Sequence, residues 1–147
     1  MPENRRIPTQ QNTDLPGFKI FSEGNQVSAE YQVLSIVVTK EVNRISTAKI
    51  SFKDGSPSEE DFPISNSDEF VPGKTIDIQA GYHGEEEIIF KGIVVKNNLR
   101  ARKNKPSVFE VVCSDMAVKL TVGRKNKYFY ESADSDIINE IASEMGL

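Results

Sequence analysis

A mainly β fold, a small antiparallel barrel carrying a C-terminal α-helix, is predicted by three observations. Residues 88–95 and 107–115 are apolar runs rich in β-branched and aromatic residues, a composition that fits a pleated surface. A Lys/Asn/Pro-rich stretch, 97–106, joins them, so they read as the arms of a long hairpin with a basic turn at its tip. Upstream, four shorter apolar runs are separated by turn residues, and helical spacing of apolar residues is clear only after residue 133. Six or seven strands, short turns and one terminal helix make a small barrel or sandwich.

Taken in order, residues 1–17 are polar and hold Pro2, Pro8 and Pro16, which predicts a flexible arm. The barrel is expected over 18–131 and the helix over 132–147. Phe18-Lys19-Ile20-Phe21 is the first strand, stopped by Glu23-Gly24-Asn25. Residues 31–40 form the second. Strict alternation puts Leu34, Ile36 and Val38 on one face and Val33 and Val37 on the other, so this strand reads as apolar on both sides. Residues 45–53 follow, with Ala48, Ile50 and Phe52 on one face.

Residues 54–73 are the least regular, with three prolines, two glycines and six carboxylates. Phe62, Ile64, Phe70 and Val71 are the expected anchors, Ser67 to Phe70 a possible helical turn, and Pro72-Gly73 the centre of a type II turn. Residues 75–80 alternate, with Ile76, Ile78 and Ala80 inward. In the next run Ile88, Phe90 and Val94 point to one side, with Ile89, Ile93 and Val95 on the other. The returning strand turns through 116–120 and re-emerges at Tyr128-Phe129-Tyr130. A helix over 134–145 carries Ile137, Ile138, Ile141, Ala142 and Met145 on one face, and Gly146 stops it. An apolar helix face so close to Leu147 predicts an N-terminal piece of something longer.

Composition narrows the function. The 147 residues carry 18 Lys and Arg against 22 Asp and Glu, a formal charge of −4, which argues against a general nucleic-acid binder. One cysteine excludes an internal disulfide framework. No run approaches the roughly 18 apolar residues of a membrane-spanning helix. Met1-Pro2-Glu3-Asn4-Arg5-Arg6 leads into no apolar segment, so no secretory signal is read and cytoplasmic synthesis is expected.

Reactive groups are few. His83, the one histidine, sits between two glycines in a predicted turn, and an exposed turn residue is its plain reading. Cys113 alternates with Phe109 and Val111, the pattern of a buried structural thiol. Glu59-Glu60-Asp61 and Glu85-Glu86-Glu87 could serve glycoside hydrolysis only as a paired acid and base, and nothing pairs them. They also lack calcium-loop spacing. No catalytic residue, cofactor or metal is expected. The basic residues Lys96, Arg100, Arg102, Lys103 and Lys105 read as a solvated tip or a protein-docking tip, with too little aromatic interleaving for base stacking. The doubly apolar strands suggest a second covered surface, built from Val33, Val37, Ile89, Ile93 and Val95.

A family resemblance runs along the same residues. Gly73-Lys74-Thr75-Ile76-Asp77-Ile78, Phe90-Lys91-Gly92-Ile93-Val94, Val111-Val112-Cys113-Ser114-Asp115, Lys119-Leu120, Tyr128-Phe129-Tyr130, Ser135-Asp136-Ile137-Ile138 and Met145-Gly146-Leu147 follow one another in order. This order is similar to that in VgrG spike proteins of type VI secretion systems, the phage late-control D family and baseplate hubs of contractile tails. Each motif is short; their order and spacing over about residues 18–147 carry the likeness. It implies a hub region of two related barrels, of which this chain is the first plus the helix leading out. It further implies a homotrimer whose pseudo-sixfold ring docks on a hexameric tube protein such as Hcp, because docked symmetries must be compatible. Baseplate proteins and effectors are the other implied partners, and export by the contractile machine follows assembly in the cytoplasm. The family carries no catalytic residues here, so none carry over. Val33, Val37, Ile89, Ile93 and Val95 are then the expected subunit interface, and Arg100, Arg102, Lys103 and Lys105 the expected contact to tube or neighbour. A free-standing barrel binding a small ligand or glycan is the alternative; it calls for exposed aromatics on one face.

Overall fold

A computed structural model describes residues 16–55, 61–82, 84–102 and 105–147. The expected arm falls almost wholly outside them, as do His83, Glu59, Glu60 and Lys103. The fold class is the expected one: an antiparallel sheet with a helix at its C-terminal end.

The strands are β1 (Gly17–Ser22), β2 (Asn25–Gln26), β3 (Gln32–Thr39), β4 (Thr47–Lys53), β5 (Thr75–Tyr82), β6 (Glu85–Arg102) and β7 (Lys105–Ser114). They form one sheet in the order β2-β1-β5-β6-β7-β4-β3, with every neighbouring pair antiparallel. β1 and β2 are joined through Glu23 and Gly24, both at positive φ (50° and 80°), the turn whose twist matches that of the strands. Phe18 of β1 and Val33, Leu34 and Ile36 of β3 line one crevice. Ile20, Val27, Tyr31 and Phe52 line another. The sheet therefore curls until β1 faces β3, as in a barrel, although no ladder pairs these two among the described residues.

The core fills the inside of this curl. Ile50, Phe52, Ile76, Ile78, Phe90, Val94, Phe109, Val111 and Cys113 are all buried. Phe52 lies 4.9 Å from Phe70 between ring centroids, Phe109 lies 6.1 Å from Phe70, and Tyr31 meets Phe52 edge-on. Such tilted and edge-on pairs are the favoured aromatic geometries.

Three bulges decide which apolar residues join that core. On β3 the register slips between Val33 and Ser35, so Leu34 is the extra residue. Val33, Ile36 and Val38 then all pack against the core, opposite Phe52, Ile50 and Ala48, while Leu34 and Val37 face out. On β6 the slip is at Ile89, because Ile78 opposes Phe90 but Gln79 opposes Ile88. Ile88 is thereby turned out, 55% exposed, and Ile89 packs against the core. A third slip leaves Val95 unpaired between Val94 and Lys96. Strict alternation fails at these points because a bulge inserts one residue and re-aims those beside it. The expected facings of Leu34, Ile88, Val33 and Ile89 are corrected accordingly.

The irregular segment is pinned by its predicted anchors Ile64 and Phe70, both buried, whereas Val71 is exposed. Its helical turn is α1 (Pro63–Asn66) rather than 67–70. The buried carboxylate of Asp54 sets that position, accepting from the backbone N–H of Ile64 (3.0 Å) and Ser65 (2.8 Å). Pro63 at the first turn has no N–H to satisfy. The Pro72-Gly73 turn forms as expected, with Gly73 at φ +99° and the Lys74 N–H donating to the Val71 carbonyl (3.2 Å).

Two corrections concern the hairpin and its exit. Residues 97–102 are strand, not turn, so the basic residues lie along a two-stranded arm. After the 3₁₀ segment Met116–Thr121, Tyr128 to Tyr130 form no strand. The chain reaches α2 (Asp134–Glu144), which buries none of its residues.

Candidate functional site

The surface worth building up is the outer face of β3, β4, β7 and β6. Ladder register places Val37, Lys49, Val112 and Lys96 in one row across these strands. Ile93 stands opposite Ser114 in a neighbouring row. Val37 and Val95 are about half exposed and Ile93 is partly covered. The result is a stripe in which valines alternate with ammonium groups, Lys49 lying between Val37 and Val112 and Lys96 closing the row.

Toward the arm, Glu110 binds the stripe's charged border together. Its carboxylate takes Lys49 Nζ at 2.8 Å and Arg100 Nη2 at 3.1 Å, one partner from each flanking strand. The Lys49 hydrogen bond and the charges of Arg100, Lys49 and Lys96 hold the Glu110 carboxyl below its ordinary value of 4.5, against partial desolvation. Three cations around one carboxylate leave the border net positive, in a chain whose formal charge is −4. A face of this kind suits an acidic protein surface, with the valines supplying area and the cations register.

The expected interface set therefore splits. Val37, Ile93 and Val95 lie on the outer face, whereas Val33 and Ile89 pack against the core. Arg100 belongs to the border, engaged by Glu110. The side chains of Arg102, Lys103 and Lys105 lie outside the described residues. Lys49 and Val112 were missed by sequence reasoning; the alternation of β7 around Val111 and Cys113 was the signal for Val112, but nothing in the sequence pairs β4 with β7.

Groups with reactive chemistry are otherwise committed. Burial pushes the Cys113 thiol up to about 12, so it is not a thiolate at neutral pH. Glu86 is paired with Lys19 at 3.0 Å, and Asp54 holds α1. Among the described residues no group of three or more His, Cys, Asp or Glu could hold a metal ion. No helix among them is long and apolar enough to cross a membrane. Tyr128 and Tyr130 are strongly exposed, but on the segment before α2 rather than on the sheet.

Comparison with known proteins adds the following. The family model of the Alg8 N-terminal domain matches residues 12–147. No curated protein matches the chain. Among solved structures, the chain resembles the 43 kDa tail protein of prophage MuSo2 from Shewanella oneidensis, with a TM-score of 0.62 and 13% identity. The match covers 90% of this chain and 38% of the tail protein, so the chain spans under two fifths of that protein's length.

Proposed function

Since the chain belongs to the Alg8 N-terminal domain family, we propose that it is a structural hub component of a contractile injection machine. In this reading it is the first barrel of a trimeric, VgrG-like hub. The hub seats a spike on a hexameric, Hcp-like tube, contacts baseplate proteins, and leaves the cell with its effectors when the machine fires. The observation that carries the reading is the shared fold with a phage tail protein over 90% of this chain. The order of motifs from Gly73 to Leu147 supports it, and so does an outer face that combines apolar and cationic residues.

In this reading the subunit interface is Val37, Ile93 and Val95, and tube docking falls to the arm bearing Arg100, Arg102 and Lys105. The test uses the intact gene product. Ile93→Asp should abolish the trimer seen by light scattering, because it puts a carboxylate into a desolvated contact. Arg102→Glu with Lys105→Glu should leave the trimer but reduce co-purification with the tube protein at low salt. Arg100→Glu is the poorer probe, since it would place a second carboxylate beside Glu110. A stable, tube-competent trimer carrying Ile93→Asp would refute the interface assignment. Unchanged tube binding in the double variant would reduce the arm to a solvated hairpin.

A further inference from the structure

Two rows of the outer face repeat one pattern. Ladder register sets Lys49, Val112 and Lys96 side by side on β4, β7 and β6. Further along the same strands it sets Lys53, Val108 and Arg100 side by side. Each row is a valine between two cations. Phe52, Phe109 and Val111 beside them are buried, so alternation turns both rows outward. The cations are exposed and the valines half-buried.

The cations therefore stand in two columns, Lys49 and Lys53 on β4 and Lys96 and Arg100 on β6, with β7 as the floor between them. Two strand spacings put the columns about 9.6 Å apart, and the rows lie about 13 Å apart along the strands. Glu110 is the carboxylate of the middle row, between Ser51 and Asn98. It is drawn to one diagonal of the frame, Lys49 Nζ at 2.8 Å and Arg100 Nη2 at 3.1 Å. Lys96 stands on the other diagonal and has no carboxylate partner among the described residues. The frame is net positive in a chain whose formal charge is −4.

An α-helix with its side chains is about 10 Å across, the width between the columns, and about nine of its residues span the two rows. We propose that this frame docks an acidic amphipathic helix of a partner protein. Its apolar strip lies on Val108 and Val112. Carboxylates along one edge meet Lys49 and Lys53, and those along the other meet Lys96 and Arg100. The inference rests on the reading of this face as an interface given above and names the partner's chemistry. A phosphate backbone fits less well, because it has charge for the columns but no apolar surface for the valines.

The probe is a synthetic helical peptide of about 14 residues, with leucines along one face and glutamates along both edges. One counterpart carries lysines at the edges; another keeps the glutamates and has glutamines for leucines. Binding to the chain is read by fluorescence anisotropy at low salt. The net negative charge of the chain repels an acidic peptide elsewhere, so binding reports the frame. The glutamate–leucine peptide should bind saturably and at least about tenfold more tightly than either counterpart. Lys53→Glu with Lys96→Glu should weaken it about tenfold and tighten the lysine peptide. Glu110→Gln removes the carboxylate of the frame and should tighten it about threefold, a gain that a purely structural bridge would not give. Absence of saturation by about 1 mM, equal affinity for the peptides, or indifference to the Lys53 and Lys96 reversals would each overturn the proposal. Tighter binding of a single-stranded oligonucleotide would overturn it too, and would reassign the face to a phosphate backbone. Neither hub nor tube protein enters this measurement, so its failure and that of the trimer test above are read separately.

Discussion

Phe90, Cys113 and Glu110 stand on neighbouring strands yet face different media. Phe90 is 2% exposed and stands opposite the buried Ile78 of β5. Phe90→Ala should cost about 3–5 kcal/mol, as a lost transfer term plus a cavity, read from the urea midpoint at constant m-value. Cys113 has its thiol pushed up to about 12 by burial. Ellman's reagent should therefore leave it unmodified in the native protein and react once urea unfolds the sheet. Glu110 gives a pH signature. Its folded carboxyl titrates below 4.5, so the stabilisation it supplies is complete above that value and is lost as pH falls through the folded pKa. Between about pH 6 and pH 3, the urea midpoint of wild type should fall more steeply than that of Glu110→Gln. A parallel fall in both would show that the Lys49–Glu110–Arg100 bridge contributes nothing measurable. Residue identity made the burial of Phe90 and Cys113 legible in advance. The bridge was not, because Lys49 and Glu110 are 61 positions apart and meet only through the β4–β7 ladder.

At the scale of elements, the informative positions are those where a strand departs from regularity. Gly92 lies in β6 between Phe90 and Val94, where a Cβ would stand 2.2 Å from the Ser114 carbonyl oxygen and 2.8 Å from the Phe90 ring. Gly92→Ala must push β6 and β7 apart, and should destabilise by about 1–3 kcal/mol or more, as overpacking does; a neutral effect by thermal melting would mean the strands have slack. The α1 turn depends on one side chain. Asp54→Ala strips the acceptor from the Ile64 and Ser65 N–H groups, and should cost about 1–3 kcal/mol with faster amide exchange at 64–67. Strand existence was readable from composition and period, except for the polar two-residue β2, whose Asn25 reads in sequence as part of a strand stop. The bulges at Leu34, Ile89 and Val95 were not, since an inserted residue has no compositional mark. They draw Val33 and Ile89 inward, and so shrink the surface that pure alternation had assigned to a partner.

For the whole molecule, the sheet and α2 are unequal. α2 buries no residue, and Lys127 with its two carboxylates is the main polar link described. Removing residues 132–147 should change the unfolding free energy of the sheet by less than about 0.5 kcal/mol, in line with exposed positions generally. A larger loss in urea denaturation would show that the helix supports the barrel. What the chain's sequence determined is the inventory: six short apolar runs of strand character, one amphipathic helix and a net negative balance with a basic stretch, because side-chain type and period act locally. Which strands pair, which bulge, and therefore which valines are left outside beside Lys49 and Lys96, only the tertiary structure decided. Ladder partners are chosen by the joint packing of residues dozens of positions apart, and a one-residue slip moves a side chain from the core to the surface.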